Sequence, residues 1–204
     1  LSGLLNSKPD QYSQLDGREL AKTKVAELAV MGGKYPKGRS WNFWGSKPAL
    51  AAHVLDTWDG PITFLGDTVG KHVLIGGPLM ASNLKDDPIR MAYKYYGFGD
   101  PLPSWDPLVN VPPHFHREVY ADFYTRMQTV FYAANGLGDM FEVAEGCGYN
   151  KINVDDGSNE WVYDGIPKRR RYLKLKASDK TAAAELDRLF LDAAQRFSKH
   201  SKSG

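Results

Sequence analysis

Cysteine is nearly absent. Cys147 is the single one in 204 residues, which excludes an internal disulfide framework and a thiolate metal cluster. It leaves the compartment open, because many exported proteins also lack disulfides. Long apolar runs are missing too: no stretch reaches the ~18 residues that a membrane-spanning helix needs. One-sided charge is lacking, since 26 Lys and Arg against 24 Asp and Glu leave +2. That is too little to argue by itself for nucleic acid or a membrane as partner. There are no internal repeats and no low-complexity tracts. No leader peptide is visible, but the chain opens on Leu1, and Leu1-Ser2-Gly3-Leu4-Leu5 reads like the middle of a helix. The missing leader therefore says nothing about export. What is present, 42% hydrophobic and 25% charged, suits one substantial globular domain.

The order of patterns points to an α/β fold. Val25 to Met31 is a mostly apolar run closed by Gly32-Gly33, as for a buried strand meeting a loop. Lys34 to Lys47 is too irregular for either period. Pro48 opens a helical stretch with Leu50, Val54, Leu55 and Trp58 on one stripe, and Gly60-Pro61 ends it. Ile62 to Leu65 is the next strand. Strand, loop, helix, strand is the rhythm of a largely parallel sheet. Asp86-Asp87-Pro88 predicts a capped helix reaching about Tyr96. Tyr149 to Lys176 alternates short β-like runs with a clear turn at Asp155 to Asn159. Residues 179–198 predict a closing helix with Leu186, Leu189, Phe190, Ala193 and Phe197 on one face, and 199–204 form a polar tail.

Several strings in this order have a wider counterpart. Met31-Gly32-Gly33 closes a strand, and Trp41-Asn42-Phe43-Trp44 follows; then come Pro48 with Ala51-Ala52, and Gly60-Pro61-Ile62-Thr63. Farther on are Ser104-Trp105-Asp106-Pro107-Leu108, Gly136-Leu137-Gly138-Asp139-Met140-Phe141 and Gly157-Ser158-Asn159-x-Trp161-Val162. The chain resembles, over nearly its whole length, the C-terminal two-thirds of the inosine–uridine-preferring nucleoside hydrolases, in particular the fungal and plant branch with an Asn-Phe-Trp-Gly string. The resemblance implies a mainly parallel, Rossmann-like sheet with flanking helices and a small C-terminal β-rich section. It also implies hydrolysis of the N-glycosidic bond of ribonucleosides to ribose and free base by a calcium-bound water. An oxocarbenium-like transition state is served by carboxylates around the sugar and by a metal that lowers the water's pKa.

Residue by residue, the resemblance assigns Asp106 as a calcium ligand and Asn42 as a ribose contact. Trp41 stands in the aromatic position before that asparagine, and Trp105 faces the base in place of a histidine. Ser40 stands where many members carry a ribose-binding glutamate, and Lys47 where they carry an aspartate. The Asp-x-Asp-x-x-x-Asp-Asp motif that opens the family fold and carries its base is not in these residues. This reads as an N-terminally truncated domain over 1–198 with no catalytic residue of its own. It should expose a sheet edge and be poorly soluble or oligomeric, homo-oligomers being common in the family. Relative to the family, Val109 to Gln128 are twenty extra residues. Valine codons begin with GT and one glutamine codon ends in AG, so the segment is either a translated intron or a genuine surface insertion.

Three functional classes follow: a piece of a nucleoside hydrolase, a non-catalytic ribose- or nucleoside-binding relative, and an inactive remnant. Other motifs have plainer readings. Asp before Pro at position 106 is also ordinary capping chemistry, and Asn42 would also serve as a loop residue satisfying its own backbone. Trp41, Trp44 and Trp105 fit either a stacking wall or the core. His114-x-His116 has the spacing of a metal pair but falls inside the extra segment, and His53 reads as a surface or half-buried helix residue. Lys168-Arg169-Arg170-Arg171 reads as a solvated turn rather than a nucleic-acid patch, and Gly76-Gly77-Pro78 lacks the spacing of a phosphate loop.

Overall fold

The computed structural model describes residues 1–45, 47–70, 72–84, 87–91, 124–165 and 169–200. Their contacts separate into two units, Leu1–Val69 with Gln128–Lys176, and Gly70–Met127 with Ala177–Gly204.

The first unit is built around a four-stranded sheet. Strands β1 (Leu28–Met31), β3 (Ile62–Leu65), β7 (Arg170–Leu175) and β4 (Phe141–Val143) lie in the order β1-β3-β7-β4. β3 is parallel to both β1 and β7, and β4 is antiparallel to β7. A separate antiparallel sheet joins β2 (Lys37–Arg39), β6 (Ser158–Tyr163) and β5 (Gly148–Ile152). The fold is thus mixed α/β with both parallel and antiparallel pairing. In the four-stranded sheet the β1–β3 and β3–β7 pairs are parallel, as expected, and the β4–β7 pair is antiparallel.

All four residues of β3 are buried, as an unbroken apolar-and-Thr strand between two parallel neighbours should be. Alternation then splits its two faces. Ile62 and Phe64 enter the core with Leu55, Trp58, Trp161 and Tyr172. Tyr35 stacks on Tyr172 with centroids 4.8 Å apart, and Trp161 meets Tyr172 edge-on at 5.0 Å. Thr63 turns the other way. Its hydroxyl donates to Glu27 in a very short bond and accepts from Arg171 Nε at 2.9 Å. The Tyr132 hydroxyl donates to Glu27 Oε1 at 2.9 Å and accepts from Arg171 Nη2 at 2.7 Å. Each polar group there is answered, which a half-buried network requires.

Helix α1 (Ser2–Leu5) precedes α2 (Gly17–Lys24), which begins with a complete capping box between Asp16 and Glu19. A short α3 (Trp41–Trp44) and then α4 (Pro48–Thr57) follow β2, with Pro48 in the first turn of α4 as expected. The predicted stripe of α4 is partly wrong: Leu55 and Trp58 are buried, but Leu50 is half exposed and Ala52 takes the inner position. His53 is half-buried, with Nδ1 3.0 Å from Ser2 Oγ. Asp155 and Asp156 form the predicted turn, where the Asp156 carboxylate accepts from the Ser158 N–H at 2.8 Å and is lowered in pKa chiefly by Ser158. Arg170 and Arg171 are not in a solvated turn; they lie within β7.

Helix α5 (Asp67–Gly70) ends at the first residue of the second unit, in which α6 (Gly77–Ala81) follows. Gly76, at φ 97°, starts α6 and donates its N–H to Asp187 Oδ1 at 2.6 Å. Asp87 caps the helical residues 88–91 by accepting the Arg90 N–H at 2.9 Å, and the rest of that predicted helix lies outside the described residues. The long α7 (Tyr124–Asn135) begins here and continues into the first unit, so the end of the extra segment, 124–128, is helical. The closing α8 (Asp179–His200) buries Ala182, Leu186 and Ala194. Ala193 and Phe197 are exposed, so the inner face is rotated by about one residue from the predicted one.

The two faces of β3 predict different costs. Phe64→Ala should lose about 3–5 kcal/mol in urea unfolding through cavity formation. Thr63→Val, equal in shape, should lose about 1–3 kcal/mol because Arg171 Nε is left without its acceptor. A Thr63→Val variant as stable as the parent would mean that the polar face contributes nothing specific.

Candidate functional site

Parallel strands leave their loops at one end, and in α/β sheets ligands gather outside the carboxyl ends of the strands. Here β1 ends at Met31 and β3 at Leu65, side by side in register. Each strand runs directly into glycine, Gly32 after β1 and Gly66 after β3. The Gly32 N–H donates to Leu65 O at 3.1 Å and the Asp67 N–H to Gly33 O at 2.9 Å. Gly33 sits at φ 86°, and a Cβ on Gly66 would lie 2.7 Å from Gly33 O. The two loops are therefore sewn together closely enough that no side chain fits between them.

Asp67 is the carboxylate at this edge. Ser40, almost fully buried, donates Oγ–H to Asp67 Oδ1 at 2.9 Å. Ser40 occupies the N-cap position of α3, but its hydroxyl makes no cap bond there; it is committed to Asp67 instead. Burial raises the Asp67 pKa, against the lowering effects of the Ser40 hydrogen bond and the Lys34 charge. Tyr35 packs beneath. Its hydroxyl is buried without a hydrogen-bond partner, and its pKa is pushed well up by burial and then by Asp67.

Residues 34–44 are held from the other sheet. Asn159 accepts the Lys34 N–H through Oδ1 at 2.9 Å and returns Nδ2–H to Lys34 O at 3.1 Å. It also donates to Asn150 Oδ1 at 3.0 Å. Gly157, at φ 70°, lies against Trp44, where a Cβ would come within 2.5 Å of the backbone. Asn42 is half-buried beside Gly32, its Cβ 3.4 Å from where a Gly32 Cβ would stand. Trp41 is 60% exposed and meets Trp44 edge-on at 6.4 Å, while Arg39 lies 4.7 Å over the Trp44 ring. These tryptophans are exposed rather than part of the core.

Of the predicted site residues, Asn42 thus lies beside Gly32 at the end of β1, and Trp41 is exposed at the start of α3. Trp105 and Asp106 lie outside the described residues, as do His114 and His116. Among the described residues, no group of three or more His, Cys, Asp or Glu is placed to hold a metal ion. The sequence reading passed over Asp67. Its signal was positional, a Gly-Asp pair directly after a parallel strand. Compared with models of known protein families, with curated proteins and with solved structures, the chain gives no match.

The raised pKa has a sign that can be checked. A carboxyl whose folded pKa exceeds its unfolded value of about 3.9 makes the native state bind protons more tightly, so stability falls as pH rises through that window. Asp67→Asn keeps an oxygen for Ser40 and removes the charge. Thermal melts should show the variant above the parent at about pH 7, with the gap closing below about pH 4. A variant less stable than the parent at neutral pH would contradict the burial argument.

Proposed function

We propose that the loop cluster at the ends of β1 and β3 takes the ribose of a ribonucleoside, within a fold of the nucleoside hydrolase kind. The observation that carries this reading is convergence. Gly32-Gly33, Asn42 and Asn159 come from three separated strings of the family resemblance, and they border one loop cluster together with Asp67. Sugar recognition needs carboxylate and amide groups facing hydroxyls, with an apolar ring against the sugar or base. Asn42 and Asp67 supply the first, and exposed Trp41 supplies the second. In this reading the Asp67 carboxylate accepts from a ribose hydroxyl through the lone pairs that Ser40 leaves open.

In the same reading Asp106 is the metal-ligating carboxylate and Trp105 faces the departing base. Calcium takes about 6–8 oxygen ligands. The described residues place Asp67 at these loops without the further His, Cys, Asp or Glu of such a cluster, so they do not make that site by themselves. Bond cleavage, the proposed activity of the complete fold, then depends on carboxylates beyond these loops. Retention of binding without turnover is the companion reading, a nucleoside-binding relative.

Titration with inosine, followed by tryptophan fluorescence, tests the proposal. Saturable quenching is expected, weakened about tenfold by Asn42→Ala, the loss of roughly one hydrogen bond. No response to inosine or ribose, or an unchanged affinity in the variant, would overturn it. Release of free base measured on the same samples separates hydrolysis from binding alone. Calorimetry with calcium should show no binding to this chain; tight binding would mean that residues outside the described set complete the site.

A further inference from the structure

The other end of the same sheet carries the opposite chemistry. A cavity of about 300 Å³ lies at the start of β3 and β7, floored by Leu5, Ala21 and Trp58. Its charged lining is Arg18, Lys22 and Arg169 against one carboxylate, Asp59. Among the described residues none of the three cations is in an ion pair. Arg18 and Lys22 are four apart on α2, a spacing at which like charges face each other at some cost. Arg169 stands at the boundary with an adjoining hollow of about 540 Å³ and lines both. Its neighbours are committed elsewhere, Arg170 to Trp58 O at 3.1 Å and Arg171 to the Thr63–Tyr132–Glu27 network. Among the described residues its guanidinium has no ion-pair partner.

Helix dipoles offer a plainer use for these cations, since α2 and α4 both end here, at Lys24 and Thr57. Each terminus presents about half a negative charge that fades within one turn. Two such ends and Asp59 together offset about two of the three positive charges, and Arg169, on the β7 side, belongs to neither helix. We infer that this cavity binds a phosphate monoester, its phosphoryl group on Arg169 and Lys22 at the rim and its apolar body against Ala21 and Trp58. Guanidinium forks match phosphate oxygens in pairs. The volume is at the lower end of small-molecule sites, which fits one ring or one sugar rather than a polymer. The inference does not rest on the nucleoside reading, which concerns the other end of the strands.

Titration of the chain with phenyl phosphate, followed by isothermal titration calorimetry, tests it, with inorganic phosphate and benzyl alcohol as separate arms. Saturable binding of phenyl phosphate is expected, with inorganic phosphate weaker and the alcohol weakest. Arg169→Gln, a change at an exposed position, should weaken binding about tenfold, and Lys22→Gln should weaken it by a smaller factor. Asn42→Ala should leave it unchanged, so failure here and failure of the nucleoside reading are told apart. No saturation, or an affinity indifferent to Arg169→Gln, would overturn the inference and leave the cations to the helix ends. Inorganic phosphate binding as well as the ester would overturn the apolar half of it.

Discussion

The parallel pairing of β3 on both sides is the interaction from which the rest of the first unit follows. Ile62 to Leu65 align with Leu28 to Met31, and Ile62 to Phe64 with Arg170 to Tyr172. Because the strand is buried along its length, a one-residue slip would carry Phe64 to the polar face and Thr63 into the aromatic cluster. The register is fixed from both faces at once. The aromatic face supplies most of the burial energy, while the polar face makes the wrong register costly, since Glu27 and Arg171 would lose the hydroxyl between them. Once β3 is set, Leu65 and Met31 end together, and the loops that follow have one place to meet.

Those loops are ordered by polar groups that belong to other elements. Asn159 holds Lys34 by both edges of its amide, and the Asp67 N–H closes on Gly33 O. Ser40 gives up its natural role as a helix cap to hold Asp67. A cap is worth about 0.5–2 kcal/mol, so a serine that leaves α3 uncapped forgoes part of that to position a half-buried carboxyl. Tyr35 adds to the same tension, with a buried hydroxyl that finds no partner. A site assembled this way is preorganised by its second row of contacts rather than by its own side chains.

Much of the framework was legible in the sequence because it depended on short-range rules. The apolar run ending in Gly32-Gly33, Pro48 at a helix start, the Ile62 strand and the Asp155 turn each rest on local chemistry, and each is found. The misses share a cause: they needed knowledge of the partner. Leu50 reads as core by periodicity, yet Ala52 is the residue turned inward against the sheet. The face of α8 is off by one residue for the same reason. β2 was invisible because three residues of Lys-Gly-Arg carry no strand signal until β6 lies beside them. Of the candidate site, Trp41 and Asn42 came from matched strings. Asp67 could be found only after knowing that β3 is parallel to β1, because its meaning lies in the strand end it occupies. Arg171 was misread for a related reason, as a run of four basic residues hides the one whose charge is neutralised across the sheet.

The two ends of this sheet show how one strand order separates opposite chemistries. Helices α2 and α4 terminate at the end where β1 and β3 start, so that end carries carbonyl-rich termini and the basic residues that suit them. The other end has the glycines that follow β1 and β3, which let the two loops come close, and there Asp67 opens the short α5 while it accepts from Ser40. Burial there raises the carboxyl's pKa, whereas a cation brought to the same place would answer it as an ion pair. Lys34 is near enough to lower the Asp67 pKa but contributes less than burial raises it, and its backbone rather than its ammonium is held by Asn159. The carboxyl is thereby kept close to a charge that could neutralise it while still retaining its own proton affinity. What results is a half-buried carboxyl fixed in place by Ser40 and only partly compensated by the charge beside it.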